Sequence, residues 1–355
     1  MWITLKVGPA AERILDAILF SVKSFLHIIL VTISLCCQSD SSRSTISEST
    51  QPDVLVTADW LRQEMAIDSS LIIAKVGYGP AAGEYIPGSI HINTDEIEYD
   101  EFKARSSNHP ISRTTSPDQD WAKGLTIHDT LPRNYWNLYA DEYLLKALAY
   151  AGITATSKIV VYGETPEAAA RLAWCLVYSG VEQVHFLNGG LNAWTDADFE
   201  ISTKAGERTP VENFGKGHTL NTQYAIATDA VRSVVSEQDT SVVLLDVRSY
   251  SEYKGDTSIY DYISVGRIDG AVFGGTSSGK QSMSDYCDSS GRLRSLSILE
   301  TMWLQSGITS EKDIIFYCGT GWRSSLAWLA AYSMGWKQIK NYDGSWYEWS
   351  EHYEN

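Results

Sequence analysis

The feature that most constrains the fold is a repeat, because after residue 52 the chain runs twice through the same order of short apolar segments. The clearest pair is 158–162 and 313–317, each followed by a loop and an apolar helix, at 168–178 and 324–334. Runs this short and this rich in β-branched residues are typical of central parallel strands. Strand, helix and strand at this spacing predict right-handed crossovers and an α/β fold whose parallel sheets are covered by helices on both faces.

The repeat also divides the chain. A length of 355 residues exceeds what one hydrophobic core usually fills, so two domains are expected. We assign the first domain to 52–201 and the second to 222–355, joined by a linker at 202–221 that is rich in Gly, Lys and Thr.

The segment before the repeat is typical of a targeting signal. An apolar stretch at 26–37 follows Lys23 and precedes a Ser/Thr-rich run at 38–51, which is the order of an export leader and a flexible tether. Its end resembles a bacterial lipoprotein cleavage box, which makes Cys36 and Cys37 candidate lipid anchors. We therefore predict a leader at 1–37, a periplasmic or cell-envelope location and a membrane tether through the N-terminus. A signal anchor and an amphipathic cytosolic N-terminus are the alternatives.

Composition excludes several classes of partner. A net charge of -16 repels nucleic acid, and a small anionic substrate would need its own positive pocket. The five cysteines form no C-x-x-C pair and the histidines lack ligand spacing, so we predict no metal and no cofactor. Isolated buried thiols are the favoured interpretation of Cys175 and Cys287, with a disulfide between them left open. A monomer is expected.

A cysteine loop carries the chemistry. Cys318 ends the strand at 313–317 and precedes a helix, where the unpaired amides of the first helical turn should lower the pKa of a thiol. Glycines on either side of Thr320 let successive amides converge on one point, and Arg323 adds a fixed cation. We predict Cys318 as the nucleophile, with a buried core cysteine as the alternative. The candidate substrate-binding residues are Gly319, Thr320, Gly321, Trp322 and Arg323.

The motifs together resemble one family. The runs 85–91 and 188–194, the Leu-Asp-Val-Arg segment at 245–248 and the Cys-Gly-Thr-Gly-Trp-Arg loop are similar to those of tandem-domain rhodaneses, and the loop is similar to that of exported bacterial members. The resemblance implies a parallel sheet of about five strands in each domain. It also implies transfer of sulfane sulfur from thiosulfate or 3-mercaptopyruvate to cyanide or a thiol acceptor, through a persulfide on Cys318. Gly163 stands where the second copy has Cys318, so the first domain should be catalytically inactive.

The resemblance also assigns supporting residues and shows where this chain departs from the pattern of the family. Asp246 and Arg248 correspond to positions that are mainly structural in rhodaneses. Glu252 stands where animal enzymes carry a substrate-binding arginine, and 256–265 looks like an insertion. The identity of the sulfur donor therefore stays open.

Two rival functions remain. A tandem rhodanese module could carry sulfur or bind a partner without catalysis. A cysteine phosphatase is the other rival, but its loop follows C-x5-R, whereas here four residues separate Cys318 from Arg323.

Overall fold

A computed structural model describes residues 54–100, 135–276 and 282–353. The predicted leader, the tether at 38–51 and the two candidate lipid anchors lie outside the described residues. Among the residues that are described, no helix is both long and apolar enough to cross a membrane.

The first domain is a parallel sheet of five strands in the order β1-β7-β6-β2-β3, with a separate antiparallel pair, β4 and β5. Its elements are β1 (Leu55–Val56), α1 (Ala58–Ile67), β2 (Ile72–Gly77), β3 (Ile90–Asn93), β4 (Glu98–Asp100), β5 (Tyr135–Leu138), α2 (Asp141–Tyr150), β6 (Lys158–Gly163), α3 (Pro166–Ser179), β7 (Gln183–Leu187) and α4 (Gly190–Asp196).

The second domain repeats this topology, with strand order β10-β9-β11-β12-β8 and every neighbouring pair parallel. Its elements are β8 (Ala225–Ile226), α5 (Thr228–Glu237), β9 (Val242–Asp246), α6 (Tyr250–Tyr253), β10 (Val272–Phe273), α7 (Leu296–Gln305), β11 (Asp313–Tyr317), α8 (Trp322–Ser333), β12 (Ile339–Tyr342) and α9 (Ser345–Tyr353). The predicted fold class, two tandem α/β domains with five-stranded parallel sheets, is confirmed.

Both helices that follow the matched strands begin two residues earlier than predicted, at Pro166 and Trp322. In α3 the Thr165 side chain accepts a hydrogen bond from an amide of the first turn, and proline occupies that turn without losing a needed donor. In α8 the preceding Gly321 has a φ of 85°, a conformation that glycine adopts without strain.

The two domains share one hydrophobic core. It contains buried residues of α3 and α8, and both helices contribute runs of small alanine side chains. Trp174 of α3 crosses the junction and donates its indole N–H to the carbonyl of Tyr224 at 3.0 Å. The segment 202–221 contains no helix or strand and packs back on the first domain, where Phe214 is buried and Arg208 bonds Glu96.

A shared core predicts that the two domains unfold in one transition. Trp174→Ala should lower the free energy of unfolding by about 3–5 kcal/mol, because it empties a core site and leaves the Tyr224 carbonyl without its donor. Urea unfolding followed by circular dichroism and by fluorescence measures both effects. The control Ile298→Ala, at a position 53% exposed on α7, should change little. Two separated transitions in the unaltered protein would contradict the shared core.

Candidate active site

Cys318 lies at the carboxyl end of β11, the middle strand of its sheet, and its side chain is buried. In parallel α/β sheets the carboxyl ends of the strands are where ligands bind. The loop 318–321 connects this strand to α8, so the thiol lies between a strand end and a helix N-terminus.

Hydrogen bonds with the first residues of α9 fix the loop. The Cys318 amide donates to the Ser345 hydroxyl at 3.1 Å. The carbonyls of Cys318 and Gly319 accept from the amides of Trp346 and Tyr347, both at 3.0 Å. The loop conformation therefore depends on the segment that follows β12 as well as on its own glycines.

The surroundings of Cys318 favour the thiolate. Burial raises the pKa of the Cys318 thiol, but the charge of Arg323, the amide and hydroxyl of Ser324 and the amide of Thr320 together lower it below its ordinary value. The Ser324 hydroxyl donates to the sulfur at 3.6 Å. The thiolate is the nucleophilic form of cysteine, so this arrangement suits attack on sulfur.

The other two described cysteines differ in this respect. Both are buried free thiols, so the structure contains no disulfide between Cys175 and Cys287. Burial raises the pKa of each to about 12. Of these three buried thiols, only Cys318 has surroundings that outweigh the cost of burying a charge.

The guanidinium of Arg323 is already paired. It donates two hydrogen bonds to the carboxylate of Glu252, at 2.8 and 3.0 Å. Burial raises the pKa of Glu252, but Arg323 and Ser249 lower it below its ordinary value, so the carboxylate stays ionised. Substrate binding by Arg323 stays a prediction, and in the structure its charge is shared between Glu252 and the thiol.

Asp246 and Arg248, the predicted supporting residues, form a buried ion pair of 2.6 Å at the end of β9. The Tyr317 hydroxyl donates to Asp246, and Arg248 donates to the carbonyl of Gly266. The pair thus links the end of β9 to β11 and to the loop before β10. Its supporting role stays a prediction.

The first domain reaches the loop through Arg171, a fully buried residue of α3. Its guanidinium bonds Glu98 of the first domain at 2.9 Å and Asp343 of the second at 2.6 Å. A Cβ at Gly321 would lie 2.9 Å from Arg171 Nη1, so the loop passes directly over this cation.

Trp322 also contacts the first domain. Its indole N–H donates to Glu98 at 2.8 Å, and its ring stacks on Tyr78 with centroids 5.1 Å apart. Burial raises the pKa of Glu98 to about 8, although the charge of Arg171 lowers it. Trp322 therefore joins the cysteine loop to the first domain.

Several residues around the loop escaped the sequence analysis. The predicted insertion at 256–265 brings the Tyr260 ring within 3.3 Å of where a Gly319 Cβ would lie. No motif marks Tyr260, Ser324 or Ser345. Arg171 did carry a signal, because it is a lone cation inside the apolar helix after β6.

The hydrogen bond from Ser324 can be tested directly. Ser324→Ala should shift the pH dependence of Cys318 alkylation to higher pH and slow iodoacetamide labelling at pH 6 by about two- to tenfold, because one donor to the thiolate is lost. The matched control is Ser325→Ala, whose hydroxyl donates to the Gly321 carbonyl instead of the sulfur. Equal labelling curves for the Ser324 variant and the unaltered protein would contradict this role.

Comparison with known proteins gives the family. The model of the Rhodanese-like domain matches residues 57–197 and 231–352. The thiosulfate sulfurtransferase YnjE of Escherichia coli is 37% identical over 222 residues, which are 62% of this chain and 51% of that protein, so the match spans about half of that relative. The sulfur carrier protein TtuD of Thermus thermophilus is 25% identical over 311 residues, covering 84% of this chain and 94% of that protein.

Solved structures agree with this family. Wild-type EanB is 33% identical, with a TM-score of 0.71 over 85% of this chain and 68% of that chain. An anaerobic ergothioneine biosynthesis enzyme from Chlorobium limicola, solved with its natural substrate trimethyl histidine, is 32% identical with a TM-score of 0.70, over 85% of this chain and 69% of that chain. Together with the two matched segments, these similarities show that the chain belongs to the Rhodanese-like family and contains two tandem copies of its domain.

Proposed function

We propose that the chain is a sulfurtransferase, in which Cys318 takes sulfane sulfur from a small anionic donor and passes it to cyanide or a thiol. Thiosulfate and 3-mercaptopyruvate are the proposed donors. The observation that carries the proposal is the position of the buried Cys318 thiol at the N-terminus of α8, where the Ser324 hydroxyl donates to the sulfur at 3.6 Å and Arg323 helps to lower the pKa of the thiol. Relatives named thiosulfate sulfurtransferase support the same chemistry.

In the first step the Cys318 thiolate attacks the sulfane sulfur of the donor. A bond forms between Sγ and that sulfur, and the donor's bond to it breaks, so that its electron pair leaves with sulfite or with the enolate of pyruvate. The Thr320 and Ser324 amides hold negative charge on Sγ before attack. The remaining loop residues, with Trp322 and Arg323, are proposed to hold the donor.

In the second step the acceptor attacks the outer sulfur and the Cys318 thiolate leaves. A thiol of low pKa is a better leaving group than an ordinary thiol, so the same interactions assist this step. The buried position of the sulfur limits access by water and by bulky thiols. We propose that the first domain, which has Gly163 at the equivalent position, does no chemistry and acts as a wall of the site.

The proposal predicts a sulfur adduct. After incubation with thiosulfate, and separately with 3-mercaptopyruvate, intact-mass measurement should show a gain of one sulfur atom that peptide mapping places on Cys318. Cyanide should remove it and release thiocyanate. Cys318→Ser should gain nothing, whereas Cys175→Ser should load normally. A protein that gains no sulfur from any sulfane donor would refute the proposal.

A sulfur carrier is the second candidate, and it is favoured by the relative named sulfur carrier protein. A carrier would load Cys318 once and deliver its sulfur to a partner protein, without repeated turnover on cyanide. Steady-state thiocyanate production distinguishes the two candidates. Hydrolysis of an aryl phosphate, without sulfur transfer, would instead favour the phosphatase alternative.

We also propose that the chain is exported, on the basis of the apolar and Ser/Thr-rich segments at 26–51. Fractionation of cells that produce the full-length chain should place the protein in the cell envelope or periplasm. Replacement of Cys36 and Cys37 by serine should release it from membranes if either carries a lipid. Recovery of the uncleaved chain from the cytosol would refute export.

A further inference from the structure

We propose that the acceptor of the Cys318 sulfur carries a positive charge, which is recognised by aromatic rings and carboxylates at the mouth of the site. This group, called here the collar, consists of Tyr78, Tyr260, Trp322, Glu164 and Glu167. The inference rests on the proposed sulfur transfer and specifies the class of molecule that removes the sulfur.

The aromatic part of the collar surrounds the loop. Tyr78 of the first domain stacks on Trp322 with an interplanar angle of 10°, and 60% of its surface stays exposed. Tyr260 lies against Gly319 on the other domain. Aromatic faces carry negative potential and attract ammonium groups, especially quaternary ones.

The carboxylates of the collar come from the loop after β6 and from α3. A Cβ built on Gly77, the residue before Tyr78, would lie 2.6 Å from Glu164 Oε1, so this carboxylate lies against the end of β2. Desolvation raises the pKa of the Tyr78 hydroxyl, and the charges of Tyr260, Glu98, Glu167 and Glu164 raise it further. Within the described ranges, neither Glu164 nor Glu167 makes a side-chain hydrogen bond or an ion pair.

The arginines near the loop are already paired with carboxylates. Arg323 is paired with Glu252, Arg171 with two carboxylates, and Arg248 with Asp246. Lys75, on the strand that leads to Tyr78, donates its ammonium protons to the carbonyls of Ala82 and Glu84 and keeps its positive charge. Glu164 and Glu167 therefore give the collar more negative charge than the ammonium of Lys75 offsets, within a chain whose net charge is -16. Such a field favours a cationic acceptor over an anionic one.

The sulfur passes from Cys318 to a thiol acceptor in one substitution step. The acceptor thiolate attacks the outer sulfur of the Cys318 persulfide, and a new sulfur–sulfur bond forms. The bond between that sulfur and Sγ breaks, and its electron pair stays on Cys318 as the thiolate. The collar does not enter the bond changes, and its role is to raise the local concentration of a cationic acceptor.

The test is a single-turnover unloading experiment on the full chain. Cys318 is loaded with inorganic polysulfide, freed of excess reagent and checked by intact mass for one added sulfur. The loaded protein is mixed with thiocholine, cysteamine, 2-mercaptoethanol or 3-mercaptopropionate, and loss of the sulfur is followed by mass. Each acceptor's rate on a variant is divided by its rate on the unaltered protein, so that the intrinsic reactivity of the thiol cancels.

We expect the double variant Glu164→Gln/Glu167→Gln to reduce the preference for thiocholine over 3-mercaptopropionate by about three- to tenfold. This reduction should be smaller at high salt, because salt screens the interaction between the carboxylates and the acceptor. The rate with 2-mercaptoethanol should stay within about twofold. Tyr78→Leu should slow thiocholine selectively by about two- to fivefold, and Tyr78→Phe should keep the rate. The control Glu237→Gln removes the same charge from the exposed C-terminal end of α5, which leads into the amino end of β9, whereas the loop lies at the carboxyl end of β11.

The outcomes separate the two proposals. A preference that is unchanged in the double variant, or lowered equally by the Glu237 control, would overturn the inference while leaving sulfur transfer intact. A protein that accepts no sulfur on Cys318 would overturn both.

Discussion

A buried cation at the domain junction controls the geometry of the active-site loop. Removal of the Arg171 guanidinium from water would cost several kcal/mol if it were unpaired. The structure compensates with Glu98 from its own domain and Asp343 from the other, so the charge is satisfied only when the domains are joined. Because Gly321 passes over this cation, the loop that holds Cys318 takes its shape partly from a domain that has no nucleophile.

The buried thiolate of Cys318 also carries a charge that has to be stabilised without water. A buried thiol ordinarily stays protonated, as the raised pKa values of Cys175 and Cys287 show. At Cys318 the nearby Arg323 reverses this, but a buried arginine itself needs a counter-ion, which Glu252 supplies. The result is a thiolate stabilised by short-range dipoles and one shared cation, with little positive charge remaining to attract an anion from solution.

Much of this could be predicted from the sequence, because strand and loop signals are local. The strands 242–246 and 313–317 and the position of Cys318 between a strand and a helix follow from periodicity and glycine placement. The ion pair from Arg171 to Asp343 joins residues in different domains, and no local pattern specifies it. Tyr260 lies in a segment without regular structure, so only the folded chain shows that it contacts the loop.

The two copies of the domain therefore differ in chemistry although they share a topology. The second copy provides the thiolate and the amides that stabilise it, while the first contributes Arg171 beneath the loop and Tyr78, Glu164 and Glu167 at its mouth. The first copy has Gly163 at the position of Cys318 and therefore carries no cysteine at that strand end. At the same position, the carboxyl end of β6, the first copy carries Glu164 and Glu167, so that both domains contribute side chains to the proposed acceptor site.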